Sequence, residues 1–532
     1  MKKSSPRIMS LFLSLILVAT VALSACAPKT EEAPPADDPT AAAGQTADVS
    51  NTNIPKYVFL FIGDGMSFPQ LSALGFYKGT VENDFTGTLK EPTPDNQPVA
   101  DMPKFTEFPV VGSSTTYDAS KFVTDSASAA TAIASGVKTL DGVIGQDAFG
   151  TDVPTIAEIM HGAGYKAGVI SNVSLDHATP AAFYAHQASR SKYYDISLDM
   201  INSGFEFFGG GGFFFPNGYD DEQEKSIFDL AEEAGYKVAN TKADILAISA
   251  SDEKVLAVNE VLDAASDIHY RIDLDNIEDA DKSLALADFV KKGIEVLDND
   301  KGFFLMCESG KIDWAGHAND AMANIQEIIV LEEAVQVALD FAQQHPDDTL
   351  IIVTGDHETG GFSNGYGGTE YDTYFSVLSA QKVSSAWFES NIVPDFIPNN
   401  ATYEDVMDQV KEYFGLVRED DPDSAALENP ALIITPVEEK LFRAAYEQQM
   451  IPASERDLAD EEYRRLYGTV RAEPIVITAT HVLNNKAGIG WSTTSHSALP
   501  TAVFAYGAGA DVFNGMYDNT DIPKKIKELV GL

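Results

Sequence analysis

The strongest constraint on the fold is a set of four short apolar runs, most of them followed at once by acidic, glycine or histidine residues. The runs are Tyr57 to Ile62, Lys166 to Ile170, Gly302 to Cys307, and Leu350 to Val353. Such runs are typical of strands buried on both faces of a parallel sheet. Helical patterns lie between or after them, at Val153 to His161, Ala321 to Gln344, and Ile522 to Val530. We therefore predict an α/β fold, a three-layer sandwich whose largely parallel central sheet carries helices on both faces.

The charge balance excludes several classes of partner. Among 532 residues, 81 are acidic and 36 are basic, which gives a formal net charge of −45. A surface of this kind repels the phosphates of nucleic acids and of anionic lipids, so we expect no nucleic-acid partner. Hydrophobic residues make up 44% of the chain and aromatic residues 10%, which is enough for a large packed core.

The N-terminus has the pattern of an export signal. Basic residues precede an apolar stretch from Ile8 to Leu23, and the following Leu23-Ser24-Ala25-Cys26 resembles the lipobox of bacterial lipoproteins. We predict a lipoprotein signal peptide over residues 1–26 and a lipid on Cys26, with a Pro/Ala-rich acidic tether over residues 27–53. The alternative is an ordinary secretory signal with a cysteine near the cleavage point. Either interpretation places the mature chain outside the cytoplasm, and the first anchors it to the membrane through that lipid alone.

The remaining chain, residues 54–532, is predicted to form one catalytic domain. The strand and helix alternation breaks down between Gly361 and Lys486, where charged helical patterns run from Tyr403 to Phe414 and from Pro436 to Gln449. We interpret residues 361–486 as an insertion that decorates the domain. The sheet is expected to resume at Thr501 to Tyr506.

Polar residues collect where the apolar runs end, which is where ligands bind in α/β sheets. Single cases are compatible with ordinary turns, but these carboxylates and histidines would repel one another or stay unpaired unless cations bridge them. The pattern therefore predicts a multinuclear metal site. The residues that carry it are Asp64, Asp176, His177, Thr179, Glu308, Asp313, His317, Asp356 and His357.

The ligand types indicate which metals would bind. Histidine mixed with carboxylate suits Zn²⁺, and Asp313, His317, Asp356 and His357 with one further histidine are enough for two zinc ions. An all-oxygen group suits Mg²⁺, and Asp64, Thr179 and Glu308 would provide it. The spacing of Asp313 and His317 places both on one face if their segment is helical.

A nucleophile is suggested by the small-residue segment that begins at Thr124-Asp125-Ser126 and ends at Gly136. This segment predicts a tightly packed helix whose first turn starts near Ser126. A helix N-terminus attracts an anion, and a serine there can attack it when a metal lowers its pKa. The alternative is that Asp125 or Ser126 merely caps the helix.

Taken in order, these motifs resemble those of bacterial alkaline phosphatases, from about Ile54 to the C-terminus. The matching segments are Gly63-Asp64-Gly65-Met66, Thr124-Asp125-Ser126, Gly136-Val137-Lys138-Thr139, Ala178-Thr179-Pro180 with Arg190, Glu308 with Asp313 and His317, Asp356-His357, and Gly490-Trp491-Ser492 through His496. The resemblance implies hydrolysis of small phosphate monoesters through a phosphoserine at Ser126, with Arg190 binding phosphate. It also implies a homodimer.

The same resemblance assigns two zinc ions and one magnesium ion. The first zinc would take Asp313, His317 and His496; the second would take Asp64, Asp356 and His357. Magnesium would take Asp64, Thr179 and Glu308, and Asp125 would orient Arg190 rather than bind metal.

His177 and Trp314 stand where the best-known enterobacterial enzymes carry aspartate and lysine. We expect the missing lysine to weaken the binding of phosphate.

Three other functions have to be considered at the level of sequence. One is phosphodiester hydrolysis by the same superfamily, although Arg190 favours a terminal phosphate. A non-catalytic lipoprotein that captures phosphate or metal is disfavoured, because each expected position is filled. A sulfatase is disfavoured because Ser126 is followed by Ala-Ser-Ala-Ala and not by the required Pro and Arg.

Overall fold

The computed structural model describes residues 54–82, 93, 97–219, 225–468 and 473–532. The predicted signal peptide, the tether and Cys26 lie outside these described residues. The described residues belong to one compact unit spanning residues 52–532. In the ranges given above, no helix has both the length and the apolar character needed to cross a membrane.

A ten-stranded sheet forms the central layer, with strand order β14-β2-β13-β8-β1-β7-β3-β4-β6-β5. Two further pairs of strands, β10 with β11 and β9 with β12, lie outside it. The strands are β1 Tyr57–Gly63, β2 Val110–Thr115, β3 Lys166–Ser171, β4 Phe207–Gly210, β5 Lys237–Ala239, β6 Val255–Val258, β7 Phe303–Ser309, β8 Thr349–Gly355, β9 Glu358–Thr359, β10 Val417–Arg418, β11 Ile433–Ile434, β12 His496–Ser497, β13 Thr501–Gly507 and β14 Gly515–Asp518.

The predicted strands are confirmed, and the sheet is largely parallel. β1 pairs in parallel with both β7 and β8, and β3 pairs in parallel with β7. The expected return of the chain to the sheet at Thr501 is also confirmed as β13. Among the described strands of this sheet, β13 alone runs antiparallel to its neighbours, β2 and β8.

Helices cover both faces of the sheet and create two separate cores. Side chains alternate along a strand, so Phe59 and Phe61 of β1 enter one core while Leu60 and Ile62 enter the other. The helices are α1 Phe68–Glu82, α2 Ser126–Ser135, α3 Ile156–Gly162, α4 Ala178–Ala181, α5 Tyr193–Ser203, α6 Ile227–Glu233, α7 Lys242–Leu246, α8 Leu286–Leu297, α9 Lys311–His317, α10 Ala321–Gln344, α11 Ser385–Asn391, α12 Tyr403–Phe414, α13 Pro436–Gln449, α14 Glu461–Tyr467, α15 Pro474–Ala487 and α16 Asp521–Leu529. This is the three-layer sandwich that the sequence predicts.

Helix bounds agree with the sequence where local caps define them. α10 and both predicted helices between residues 361 and 486 match at each end. α3 begins three residues later than its apolar pattern, because Thr155 and Glu158 form a capping box and Pro154 disfavours helical backbone at Val153. α16 is shifted by one residue from the predicted Ile522 to Val530.

The segment 361–486 packs against one face of the domain. Phe388, Val406 and Phe442 from its helices belong to the same buried cluster as Phe59 of the central sheet. Its description as an insertion stays a prediction, and this shared core agrees with a segment that does not fold separately.

His186 links the start of α3 to the chain that follows α4. Its Nδ1 donates to the Gly145 carbonyl oxygen at 2.7 Å, and its Nε2 lies 2.9 Å from Glu158 Oε1. The other oxygen of Glu158 accepts the Thr155 N–H at 2.8 Å and so completes the capping box. Glu158 raises the pKa of His186 from 6.5 to about 9. The charged pair therefore holds the start of α3 against the chain that follows α4 at neutral pH.

We expect His186→Asn to lower the melting temperature more at pH 6 than at pH 10. Because the pKa of His186 is higher in the folded state, its charged ring stabilises the fold fully at pH values below the unfolded pKa of 6.5. This stabilisation is lost as pH rises through about 9. The measurement is thermal unfolding of the protein at both pH values. His345→Asn is the control, because that ring stacks on Phe341 and forms no ion pair with described residues. Equal losses from His186→Asn at the two pH values would contradict the assignment.

Candidate metal and nucleophile site

The predicted ligands meet at the carboxyl ends of neighbouring strands. The register aligns Gly63 of β1 with Ser309 of β7 and with Gly355 of β8. Asp64 and Asp356 directly follow two of these strands, and Glu308 is the penultimate residue of β7. All three carboxylates are fully buried. The backbone register therefore brings together acidic residues that are almost 300 positions apart in sequence.

Three groups of side chains have ligand atoms within 4.8 Å of one another. Two match the sets expected for zinc. The third contains Asp64 and Glu308 as expected, and it adds His177, which belongs to the predicted strand-end pattern but was assigned to no ion. The groups are Asp313, His317 and His496; Asp64, Asp356 and His357; and Asp64, His177 and Glu308.

Thr179 also reaches this centre, because its hydroxyl lies 3.2 Å from Asp64 Oδ2. It is buried in the short helix α4, which follows His177. Every residue that the resemblance assigns to an ion thus lies in or beside one of the three groups, and the ligand roles themselves stay predictions. Asp176, which the strand-end pattern also included, is in none of the groups; it is buried, and its Oδ2 accepts the Phe214 N–H at 2.9 Å.

The first group has the hydrogen bonding expected of metal-binding histidines. His317 Nδ1 donates to the Thr494 carbonyl oxygen at 2.7 Å, and His496 Nδ1 donates to the Thr124 carbonyl oxygen at 2.8 Å. Because a carbonyl can only accept, both Nδ1 atoms carry hydrogen, and the two Nε2 atoms are left to face each other at 3.1 Å. Asp313 contributes its oxygens at 3.4 Å and 3.5 Å from these nitrogens.

Asp313 and His317 influence each other strongly. Burial raises the pKa of Asp313, but His317, His496 and His357 outweigh it and hold that pKa well below its usual range. Asp313 in turn raises the pKa of His317 to about 9. The position between them therefore attracts positive charge, which either a proton or a metal cation can supply.

The second group surrounds His357. Its Nε2 lies 3.3 Å from Asp64 Oδ1 and 3.2 Å from Asp356 Oδ2. Neither of these two oxygens has a hydrogen-bond partner that satisfies them, and the same holds for Glu308 Oε1 in the third group. Unsatisfied buried carboxylate oxygens are costly in any protein and are the atoms that a bound cation would satisfy.

The pKa values of the buried acids also indicate a cation-binding site. Burial raises the pKa of Asp64 well above its usual range, and Asp356, Asp313 and Glu308 raise it further. Burial also raises the pKa of Glu308 to about 7. Four carboxylates that share a dry volume cannot all be ionised without added positive charge. The residues therefore fit divalent cations.

Ser126 begins helix α2 and faces the second group. Its Oγ lies 3.2 Å from His357 Nε2. Asp125 caps the helix by accepting the Ser128 N–H at 3.0 Å, and Gly136 ends it with a left-handed φ of 75°. The prediction of a helix that starts near Ser126 is confirmed. The free N–H groups of this first turn favour an anion next to the serine hydroxyl.

Asp125 serves two purposes at once. One oxygen caps α2, while the other accepts from Arg190 Nη1 at 3.0 Å. Burial would raise the pKa of Asp125, but Arg190 and Ser128 hold it well below its usual range. The capping interpretation and the arginine-orienting interpretation both describe this residue.

His177 and Trp314 lie beside Arg190. Arg190 Nη2 is 3.4 Å from His177 Nε2, and the rings of His177 and Trp314 are 5.8 Å apart in an edge-on arrangement. Burial and the arginine lower the pKa of His177 to about 3, so its ring is neutral. Its Nδ1 has no hydrogen-bond partner among described residues.

Glu358 was not predicted as a site residue, and it fixes the chain around His496. Gln70 donates to Glu358 Oε1 at 2.8 Å, the Phe362 N–H donates at 2.9 Å, and the Ser497 hydroxyl donates to the other oxygen. These bonds support the β9–β12 pairing, which sets His496 opposite Thr359. The position of Glu358, directly after Asp356-His357, is the signal that could have identified it.

Lys311 is a second residue that was missed. It is fully buried at the start of α9, where its ammonium pairs with Asp267 and donates to the Ile268 carbonyl oxygen at 2.8 Å. The same Nζ lies 3.8 Å from the centre of the Tyr270 ring. Because α9 carries Asp313 and His317, this pair fixes the base of the helix that presents the first group.

Comparisons with known proteins agree on one family. A family model described as alkaline phosphatase matches residues 55–532. The chain is 29% identical over 496 residues to alkaline phosphatase 3 of Bacillus subtilis strain 168, with 91% of each chain covered. The cold-active alkaline phosphatase of a psychrophilic Shewanella species is 26% identical with a TM-score of 0.67, covering 90% of this chain and 100% of that one.

A third similar protein is a histidine-to-glutamate variant of the alkaline phosphatase from the Antarctic bacterium TAB5. It was solved with magnesium bound in a metal site. Identity is 26% and the TM-score is 0.56, with 90% of this chain and 98% of that one covered.

We expect Lys311→Met to destabilise the metal-loaded protein by about 3–5 kcal/mol, because it leaves Asp267 charged and buried without a partner. Adding Asp267→Asn should recover part of the loss. Urea unfolding measures both effects. Lys291→Met is the matched control, since Lys291 pairs with Asp288 at an exposed position and should cost less than about 1 kcal/mol. Equal costs for the two lysines would show that the buried pair has no special role.

Proposed function

The chain belongs to the alkaline phosphatase family and hydrolyses phosphate monoesters, and we propose that it does so through a covalent phosphoserine at Ser126. The observation that carries the proposal is the position of Ser126 Oγ. It stands at a helix N-terminus, 3.2 Å from His357 Nε2, beside a group of buried acids that fits cations. The proposed nucleophile therefore stands at the end of α2 that attracts an anion.

We further propose two zinc ions and one magnesium ion per chain. Asp313, His317 and His496 would hold the first zinc, and Asp64, Asp356 and His357 the second. Asp64, Thr179 and Glu308 would hold magnesium, and His177 adds a nitrogen near the same oxygens. The mixed histidine and carboxylate ligands support zinc. The magnesium bound in the TAB5 variant supports a magnesium position in this family.

The metals, when bound, neutralise phosphate charge and lower the pKa values of the serine hydroxyl and the attacking water. The chain's own residues do the positioning. Arg190, held by Asp125 from behind, presents its planar fork to two nonbridging oxygens of the phosphate. The first turn of α2 adds backbone N–H groups next to Ser126.

The reaction then takes two in-line steps. Ser126 Oγ forms a bond to phosphorus as the bond to the alcohol oxygen breaks, and the alcohol leaves on the side of His317 and His496. Water next attacks phosphorus from that vacated side, and the bond to Ser126 breaks to release inorganic phosphate. Two inversions give net retention at phosphorus.

Export and anchoring complete the proposal. The basic and apolar leader with Leu23-Ser24-Ala25-Cys26 supports a lipid anchor on Cys26 and an extracytoplasmic position. Small phosphomonoesters would then be hydrolysed outside the cytoplasmic membrane. The homodimer implied by the family stays a prediction.

Removal of metal tests the proposal directly. We expect chelation to lower the hydrolysis of p-nitrophenyl phosphate at alkaline pH by at least about 100-fold, since the metals contribute several kcal/mol of charge stabilisation. Zinc and magnesium added together should restore the rate, and neither alone should restore it fully. The measurement is the release of p-nitrophenolate across pH.

Ser126→Ala is the matched variant for that experiment. It should bind zinc and magnesium as the unaltered enzyme does but retain no labelled phosphate after denaturation. Activity that is independent of metal would reject the cofactor assignment, and phosphate trapped on the variant would reject the nucleophile.

Trp314 gives a separate prediction about product release. Trp314→Lys should lower the inhibition constant of inorganic phosphate by about 10-fold, because it places an ammonium group near the phosphate position. Trp314→Phe is the control, since it changes the ring without adding charge. An inhibition constant that is unchanged by lysine would show that this position does not contact phosphate.

A further inference from the structure

A cavity of about 260 Å³ opens beside the first ligand group. His317 and Trp314 from α9 form one side of it. Most of the remaining wall comes from the segment between residues 385 and 477, with Glu389 on α11, Tyr467 at the end of α14, and Val476 on α15, and Thr494 completes it. The cavity therefore adjoins the side of the site on which the alcohol oxygen departs.

The walls combine aromatic and aliphatic surface. Trp314 is half-buried, whereas Tyr467 and Val476 are buried. A small pocket of this kind binds an apolar group by excluding water. Aromatic faces also attract organic cations.

Two acidic residues, Glu389 and Glu473, line the cavity. Glu473 is neutralised by Arg456, whose Nη2 lies 2.8 Å from Glu473 Oε2, and Gln449 donates to the same oxygen. Glu389 forms no ion pair or hydrogen bond with any residue that the structure describes. Among the described residues, the carboxylate of Glu389 therefore has no direct partner, and Arg456 acts on it only from a distance.

The surroundings of Glu389 determine the pH at which it is charged. Burial raises its pKa to about 7, with Glu473 raising it further and Arg456 lowering it. The other titratable groups on the cavity wall are His317, Tyr467 and Glu473. At the alkaline pH at which this family works, Glu389 is thus ionised, although it is largely removed from water.

We propose that this cavity binds the alcohol part of the substrate and favours phosphomonoesters whose alcohol carries an organic ammonium group. The inference rests on the proposed function, because that function places the departing alcohol beside His317. An ammonium on a short carbon stem would pair with Glu389 and lie against the faces of Trp314 and Tyr467. A neutral alcohol would leave Glu389 desolvated and unpaired, and an anionic alcohol would be repelled.

The test compares choline phosphate with 3,3-dimethylbutyl phosphate, which has carbon in place of the quaternary nitrogen. The two alcohols have nearly the same shape, so the ratio of their kcat/KM values isolates the charge. Because the alcohols also differ in acidity, the informative quantity is the change in this ratio caused by a substitution. The enzyme is the zinc- and magnesium-loaded chain, assayed at pH 9.

Glu389→Gln should lower the ratio by about 10-fold, mainly through slower hydrolysis of choline phosphate. Glu412→Gln is the matched control, because Glu412 is exposed on α12, where it pairs with Lys382 at 2.9 Å. We expect this control to leave the ratio unchanged. Glutamine keeps the size of glutamate, and circular dichroism with metal content confirms that both variants are folded and loaded.

Each outcome decides between specific ideas. A ratio that Glu389→Gln does not change overturns the ammonium site while leaving the phosphatase intact. A ratio that rises shows that Glu389 instead disfavours the cation. If p-nitrophenyl phosphate is also not hydrolysed by the unaltered metal-loaded enzyme, the proposed function itself fails.

Discussion

The mutual repulsion of buried carboxylates is the constraint on which the rest of the site depends. Asp64, Glu308 and Asp356 are fully buried at one edge of the sheet, and each has an oxygen without a hydrogen-bond partner. Arg190 is committed to Asp125 and cannot neutralise them all. Protons or bound cations must offset this repulsion, and we expect metal binding to stabilise the site.

The strand register is what forces these acids together. β1, β7 and β8 are aligned so that their carboxyl ends are level, and their side chains fill two separate cores. A shift of one residue would move Glu308 to the opposite face of the sheet. Two glycines allow the close approach. A Cβ at Gly65, which has a φ of 75°, would lie 2.7 Å from the Asp313 Cα, and one at Gly355 would lie 2.0 Å from the Met66 oxygen.

Local signals in the sequence explain what could be predicted. The central strands were recognisable because burial on both faces requires continuous apolar residues. The bounds of α12 and α13 matched because Thr402 and Thr435 form capping boxes. The antiparallel direction of β13 was not predictable, because a run of apolar residues has the same pattern in a parallel and in an antiparallel strand. β4 and β5 are too short, and in β4 too rich in glycine, to give a clear pattern.

Some residues around the site could be recognised from local sequence signals, and others could not. Most ligand positions were recognisable because they follow a strand or share a helical face, whereas His496 was identified only through the family resemblance. The metal-binding roles are untested. Lys311, Asp267 and Glu358 were missed because their significance depends on contacts with segments distant in sequence. The cavity was also not predictable, because its walls come from α9 and from helices some 70 to 160 residues further along the chain. Packing between segments that are distant in the chain produces no periodic pattern in the sequence.

The net charge of −45 has a different meaning once the site is considered in parts. At the phosphate end, Arg190, the start of α2 and the proposed cations make the field positive. At the alcohol end, Glu389 makes it negative. A substrate with an anionic phosphate at one end and a cationic group at the other would match this arrangement of charge. A substrate with negative charge at both ends would be repelled at the alcohol end. An acidic protein can therefore bind phosphate and still select among phosphate esters by charge, provided that the positive and negative regions of the cleft are kept apart.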